Sequence, residues 1–156
     1  MALFSRVIFA MVKWRARRGL SGEEDTRADA KDKARRRGVR GEAFAYWFLR
    51  RHGYVFVARN YIPRGAKGEI DLIGYDGETL AFIEVRTRTA YEAQSALPEL
   101  SVTAEKQHLV GRTARRFLLE RHVKECPLRF DVVAIEEEQG RMPVIRLHKN
   151  AFNPAP

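Results

Sequence analysis

The 156-residue sequence predicts an α/β domain in which helices flank a mixed central sheet, with elements in the order α-β-β-β-α-β-β. Three observations predict it. Two stretches carry apolar residues at helical spacing, near 42–49 and 106–117. Five shorter stretches are β-branched and aromatic or alternate at period two. Between two of these, Asp76-Gly77 is a strong hairpin signal. The length matches one domain of roughly 100–150 residues. A composition 45% hydrophobic and 10% aromatic can fill a core and argues against wholesale disorder. No internal repeat is visible.

Taken in order, the domain starts near Gly38 and runs to about residue 150, leaving 151–156 as a tail. Glu42, Ala45 and Leu49 share one stripe of the first helix, with Phe44, Trp47 and Phe48 beside it and Gly53 as a stop. Tyr54–Ala58 suits a strand. After a Pro63–Gly65 turn, Glu69–Ile73 alternates, and Leu80–Arg86 returns from the hairpin. Thr103 can cap a helix running to about His122, with Lys106, Val110, Ala114 and Phe117 on one face. Arg129–Ile135 and Pro143–Leu147 complete the strands, with Gln139-Gly140 turning between them.

The net charge of +9 is concentrated at the start: residues 1–40 carry +7 and the remainder only +2. The basicity therefore says what the extension 1–37 can touch and little about the domain. In 1–18, Phe4, Val7, Ile8, Met11 and Trp14 fall at helical spacing among arginines. This reads as a basic amphipathic helix able to lie on phosphates or an anionic membrane. Arg6 breaks the apolar stretch and disfavours a secretory signal; a mitochondrial presequence and a true start at Met11 both stay open. Residues 19–37 read as a solvated linker or frayed helix. Cys126 is the sole cysteine, which excludes an intrachain disulfide and a sulfur-pair zinc site and fits a reducing, cytoplasmic setting. No apolar run approaches the roughly 20 residues of a bilayer span.

Strand alternation concentrates the chemistry. Glu69 and Asp71 share a face, opposite Ile70 and Leu72; Glu84 and Arg86 share a face, opposite Ile83 and Val85. If the hairpin pairs these strands, Asp71 and Glu84 converge. Two carboxylates held close repel unless a cation lies between them, and hard oxygen donors suit Mg²⁺ or Mn²⁺.

An acidic residue on one strand, a hairpin, then Glu-x-Lys on the next is the signature of the PD-(D/E)xK nuclease superfamily. More narrowly, the chain resembles the YraN family of bacterial proteins, predicted endonucleases related to archaeal Holliday-junction resolvases. The matching residues are Gly41-Glu42, Ala45, Leu49, Gly53-Tyr54, Arg59–Tyr61, Gly68–Ile73, Phe82–Arg88, Lys106 and Arg129–Val133. The resemblance spans roughly 38–135 and leaves the extension unmatched. It implies a restriction-endonuclease-like fold and a Mg²⁺- or Mn²⁺-dependent endonuclease acting on DNA, branched or damaged DNA included. By it, Asp71, Glu84 and the Val85 carbonyl hold the metal, Glu42 completes the site, and Arg86 stands where the superfamily has lysine. A buried lysine can give up its proton; an arginine instead offers a fork of donors that clamps phosphate. Arg88 and Lys106 are candidate nucleic-acid contacts.

Plainer roles compete. Glu69 reads as a solvated strand residue, Glu42 as a complement to the helix dipole, and Lys106 as a snorkelling side chain. Arg112, Arg115 and Arg116 read as a solvated helix face, Asn60-Tyr61 as a strand end, and His52, His108, His122 and His148 as surface residues. The rival function is a nucleic-acid-binding module of the same fold without turnover. A weaker third has the N-terminal helix dock on a membrane or partner. A homodimer stays open.

Overall fold

A computed structural model describes residues 30–89 and 102–154. The expected N-terminal amphipathic helix lies outside these residues. Helix α1 (Ala30–Arg51) leads into strands β1 (Val55–Tyr61), β2 (Ile70–Asp76) and β3 (Thr79–Thr89); helix α2 (Ala104–Glu120) then precedes β4 (Leu128–Glu137) and β5 (Val144–His148). The expected α-β-β-β-α-β-β order is observed. The sheet is ordered β1-β2-β3-β4-β5, antiparallel except for the parallel β3–β4 pair. Parallel neighbours need a crossover, and α2 lies in it. Gly77 takes φ +62 in the tight β2–β3 turn, as the Asp76-Gly77 signal requires. Thr103 caps α2, its Oγ1 accepting from the Lys106 N–H at 3.3 Å.

The helices cover opposite faces. On one, Phe44, Ala45 and Leu49 of α1 pack with Leu72, Ala81, Ile83, Val133 and Ile135. On the other, Val110, Ala114 and Phe117 of α2 pack with Ile73, Leu80, Phe82 and Val132. Alternate residues of β3 and β4 thus feed alternate cores, as a sheet buried on both sides must. One expected facing fails: Ile70 joins the α2-side core while Leu72 joins the α1-side core. Ile70 opens β2, outside the β2–β3 ladder that ends at the Leu72–Ile83 pair, so strict alternation does not bind it.

Two boundaries also differ. Helix α1 starts at Ala30, well before Gly38. Its early turns lack an apolar stripe and are tied down electrostatically instead: Arg40 makes a two-point contact with Glu137 (3.0 and 2.9 Å), and Arg37 lies 3.8 Å from the same carboxylate. Beyond β5 the chain turns back rather than trailing away. The Ala151 N–H donates to the Phe130 carbonyl at 2.8 Å, and Phe152 is buried in the α2-side core. Among the described residues, no helix is long and apolar enough to cross a membrane.

Gly41 lets α1 settle on β3. A Cβ at this position would lie 1.9 Å from Thr87 Oγ1 and 3.2 Å from its Cβ. Gly41→Ala should therefore lower the denaturation midpoint. Overpacking costs about 1–3 kcal/mol, more than the roughly 0.5–1 kcal/mol that alanine normally gains in a helix. Thr87→Ala in the same chain should recover most of the loss; a Gly41→Ala protein as stable as wild type would contradict this close approach.

Candidate functional site

The β2–β3 ladder gives way past Leu72–Ile83, and a cleft opens there. It measures about 240 Å³ and is lined by Glu42, Asp71, Glu84, Val85 and Arg86, with Arg37, Gly38 and Thr87 at its α1 side. Glu84, two residues past Phe82 on β3, meets Lys106 of α2, and Asp71 lines the same cleft. The Val85 N–H donates to Asp71 Oδ2 at 2.7 Å, so a carboxylate stands where the ladder stops. Glu84 is 4% exposed. Its Oε1 receives two cations, Lys106 Nζ at 3.2 Å and Arg86 Nη2 at 3.3 Å, while its Oε2 is buried without a hydrogen-bond partner. Arg86 Nε is likewise buried without a partner.

Burial, followed by the Glu84 carboxylate, pushes Asp71 up to about 7, with smaller opposing effects from the Val85 N–H and Lys106. Glu84 is raised as well, by burial first, against the lowering pull of Lys106 and Arg86. An Asp71 carboxyl that binds its proton more tightly when folded stabilises the protein at acidic pH and loses that contribution as pH rises from 3.8 toward 7. In a chelating buffer, thermal melts should accordingly show stability falling across this window. Asp71→Asn, neutral throughout, should flatten the fall; an equally steep fall in the variant would remove Asp71 from the account.

Glu42 enters the cleft from α1, but its Oε2 accepts from Asn60 Nδ2 at 2.8 Å. Asn60 takes φ +48, a conformation asparagine tolerates better than most residues. Reading Asn60 as a strand end missed this positioning contact; its only sequence signal is an asparagine beside the strand's last tyrosine. Among the described residues, no three His, Cys, Asp or Glu side chains close into a ready metal cage. Asp71 and the free oxygen of Glu84 are the donors at hand, with Val85 lining the cleft beside them. Of the two roles open for Lys106, the structure shows it at the site, with its Nζ 3.2 Å from Glu84 Oε1. Arg88 lies further along β3, in register with Glu136, and does not line the cleft. Glu69 is exposed. His52, His108 and His122 are exposed, whereas His148 is half-buried on β5 rather than at the surface, because its strand pairs with β4 at Val132. Cys126 is a half-buried free thiol.

A second polar cluster lies at the hairpin end. Asp131 is fully buried and accepts from Arg129 Nε (2.8 Å), Tyr54 Oη (3.2 Å) and the Asn150 N–H (2.9 Å). Arg129 also donates to Asp76 Oδ2 at 2.7 Å. Each member is satisfied, so this cluster cross-links β2, β4 and the chain after β5 and leaves no group directed at a ligand.

The match to known proteins falls on the same residues. The profile of the Uncharacterised protein family UPF0102 matches residues 41–135, which contain Glu42, Asp71, Glu84, Arg86 and Lys106. A UPF0102 protein of Koribacter versatilis is 42% identical over 115 residues, 74% of this chain and 78% of its own. One from Nitrosospira multiformis is 44% identical over 119 residues, 76% and 94% of the two chains. One from Geotalea daltonii is 37% identical over 129 residues, 81% and 97%. The YraN-like resemblance read from the motifs is thereby borne out, and the chain belongs to the UPF0102 family.

Proposed function

We propose that this protein is a metal-dependent endonuclease that hydrolyses phosphodiester bonds in DNA, branched or damaged DNA included. One observation carries the reading: a carboxylate pair at the split in the sheet, Glu84 buried and Asp71 half-buried, with Glu84 Oε2 unpartnered and two cations on its other oxygen. A buried acceptor without a donor costs about 1–3 kcal/mol, and two adjacent carboxylates add repulsion. A divalent cation relieves both, and the hard oxygen donors fit Mg²⁺ or Mn²⁺. Asp71 and Glu84 would hold the ion, assisted by the Val85 carbonyl and by Glu42. Bound there, it would supply neutralisation of phosphate charge and an acidified water.

The chain's own groups do the rest. The Val85 N–H fixes the Asp71 carboxylate, and Asn60 fixes Glu42. Arg86, a third exposed and held by Glu84 through Nη2, offers the rest of its guanidinium fork to phosphate oxygens. Lys106 sets a compact positive charge beside Glu84, where it can offset charge building on the phosphate. Arginine at position 86 favours the second reading, a nucleic-acid-binding module of this fold without turnover, since arginine is a poor proton acceptor. Incubating the protein with branched, single-stranded and duplex substrates under Mg²⁺, Mn²⁺ or EDTA separates the two. Cleavage that needs the metal supports the first. Binding without cleavage of any substrate overturns it and leaves the second.

A further inference from the structure

We infer that the groove between the β1–β2 loop and α2 is a second phosphate-binding site, where Lys67, Arg112, Arg115 and Arg116 grip the nucleic-acid backbone at a distance from the carboxylate cleft. This inference rests on the nucleic-acid reading of the site. The groove measures about 380 Å³, and these four cations line it together with Thr113 and no acidic residue. All four cations are exposed, and among the described residues none forms a salt bridge with a carboxylate. Like charges crowded on one wall repel, and a polyanion relieves that repulsion.

The groove is also built rather than merely exposed. The loop lies against α2 because Gly68, at φ +123, carries no Cβ; one there would fall 2.2 Å from Thr113 Oγ1. Thr113 Oγ1 is itself tied to the Leu109 carbonyl at 2.8 Å. At the loop's other end, Glu120 accepts from Tyr61 Oη at 2.8 Å and from the Arg64 N–H at 3.3 Å. Glu120 is thus spent on anchoring the loop.

Its position fits a backbone track. Lys106 and Arg116 belong to one helix and lie about 15 Å apart along its axis. At a rise of 3.4 Å per nucleotide, that is about four nucleotides of one strand of a duplex. A strand with one phosphate at Glu84 and Lys106 could therefore lay a later one in the groove. Lys67, two residues before Glu69 and four before Asp71, joins groove and cleft through the same loop.

The test is equilibrium binding of a duplex oligonucleotide in EDTA across a salt series, which removes turnover from the measurement. Gln replaces Arg112, Arg115 and Arg116 at exposed helical positions it tolerates well. The triple variant should bind roughly tenfold or more weakly, with the slope of log affinity against log salt flattened by about 0.9 for each lost contact. A charge-matched control, Lys124→Gln with Arg141→Gln and Arg146→Gln, should keep the wild-type slope. Mn²⁺ calorimetry on the wild-type protein reads the cleft separately: a cleft that binds no metal sinks the nuclease reading, while the salt slopes still decide the groove. Identical slopes for wild type and the Arg112/Arg115/Arg116 variant overturn the inference. So does loss of binding to phosphatidylserine vesicles with DNA binding unchanged, which would assign the groove to a membrane surface.

Discussion

Asp71→Asn and Glu84→Gln should each abolish Mn²⁺ binding measured by calorimetry and lower DNA cleavage at least a thousandfold, while both proteins stay folded. The expectation follows from the shape of the pair. Asparagine keeps an oxygen for the Val85 N–H, so the anchor at 2.7 Å survives, but the negative charge is gone. Charge stabilisation by a bound metal amounts to several kcal/mol of barrier, and about 4 kcal/mol corresponds to a thousandfold in rate. Stability should move the other way. Asp71 is ionised at a cost in a poorly solvated place beside Glu84, so its neutral replacement should melt higher than wild type in chelator above pH 7. A variant that is at once inactive and more stable cannot be dismissed as misfolded. Undiminished Mn²⁺ binding in both variants would remove the carboxylates from any metal site.

Much of this arrangement is legible in the sequence because it depends on local rules. Period-two alternation expects Asp71 and Glu84 to converge, and both line one cleft; the Asp76-Gly77 turn pairs their strands, and Thr103 starts α2 where its hydroxyl can cap. The first turns of α1 are not legible in the same way. They have no apolar stripe, and the nearest tie to the sheet is the contact of Arg37 and Arg40 with Glu137, about a hundred residues away. Phe152 escapes for a related reason: one aromatic after a strand carries no periodicity, although it fills a gap in the α2-side core. Lys106 and the three arginines of α2 illustrate the same limit within one helix. Spacing shows which face they share and says nothing of the Glu84 carboxylate or the Gly68 loop that each face meets.

Lys106 is the residue whose replacement should most clearly separate chemistry from binding. In the PD-(D/E)xK pattern that the motifs resemble, a lysine follows the strand glutamate by two positions; here Arg86 stands there, and a lysine from α2 lies 3.2 Å from the same glutamate. A compact ammonium beside Glu84 can settle next to a reacting phosphate, whereas arginine's planar fork prefers two-point contact with its oxygens. The two side chains are therefore expected to fail differently. Lys106→Gln should lower the single-turnover cleavage rate about a hundredfold or more, the scale of removing one preorganised donor, with little change in DNA affinity. Arg86→Ala should weaken binding by about 1.5–3 kcal/mol, the worth of a charge-assisted hydrogen bond, with a smaller effect on the rate at saturation. Arg86→Lys should keep most of the binding, and in Lys106→Gln it should restore part of the rate, since either position delivers an ammonium to Glu84. Single-turnover kinetics beside equilibrium binding, on wild type and these variants, reads both effects in one set of proteins. If Lys106→Gln cuts at the wild-type rate, the α2 lysine only neutralises Glu84, and the chemical step falls to the metal and Arg86 alone.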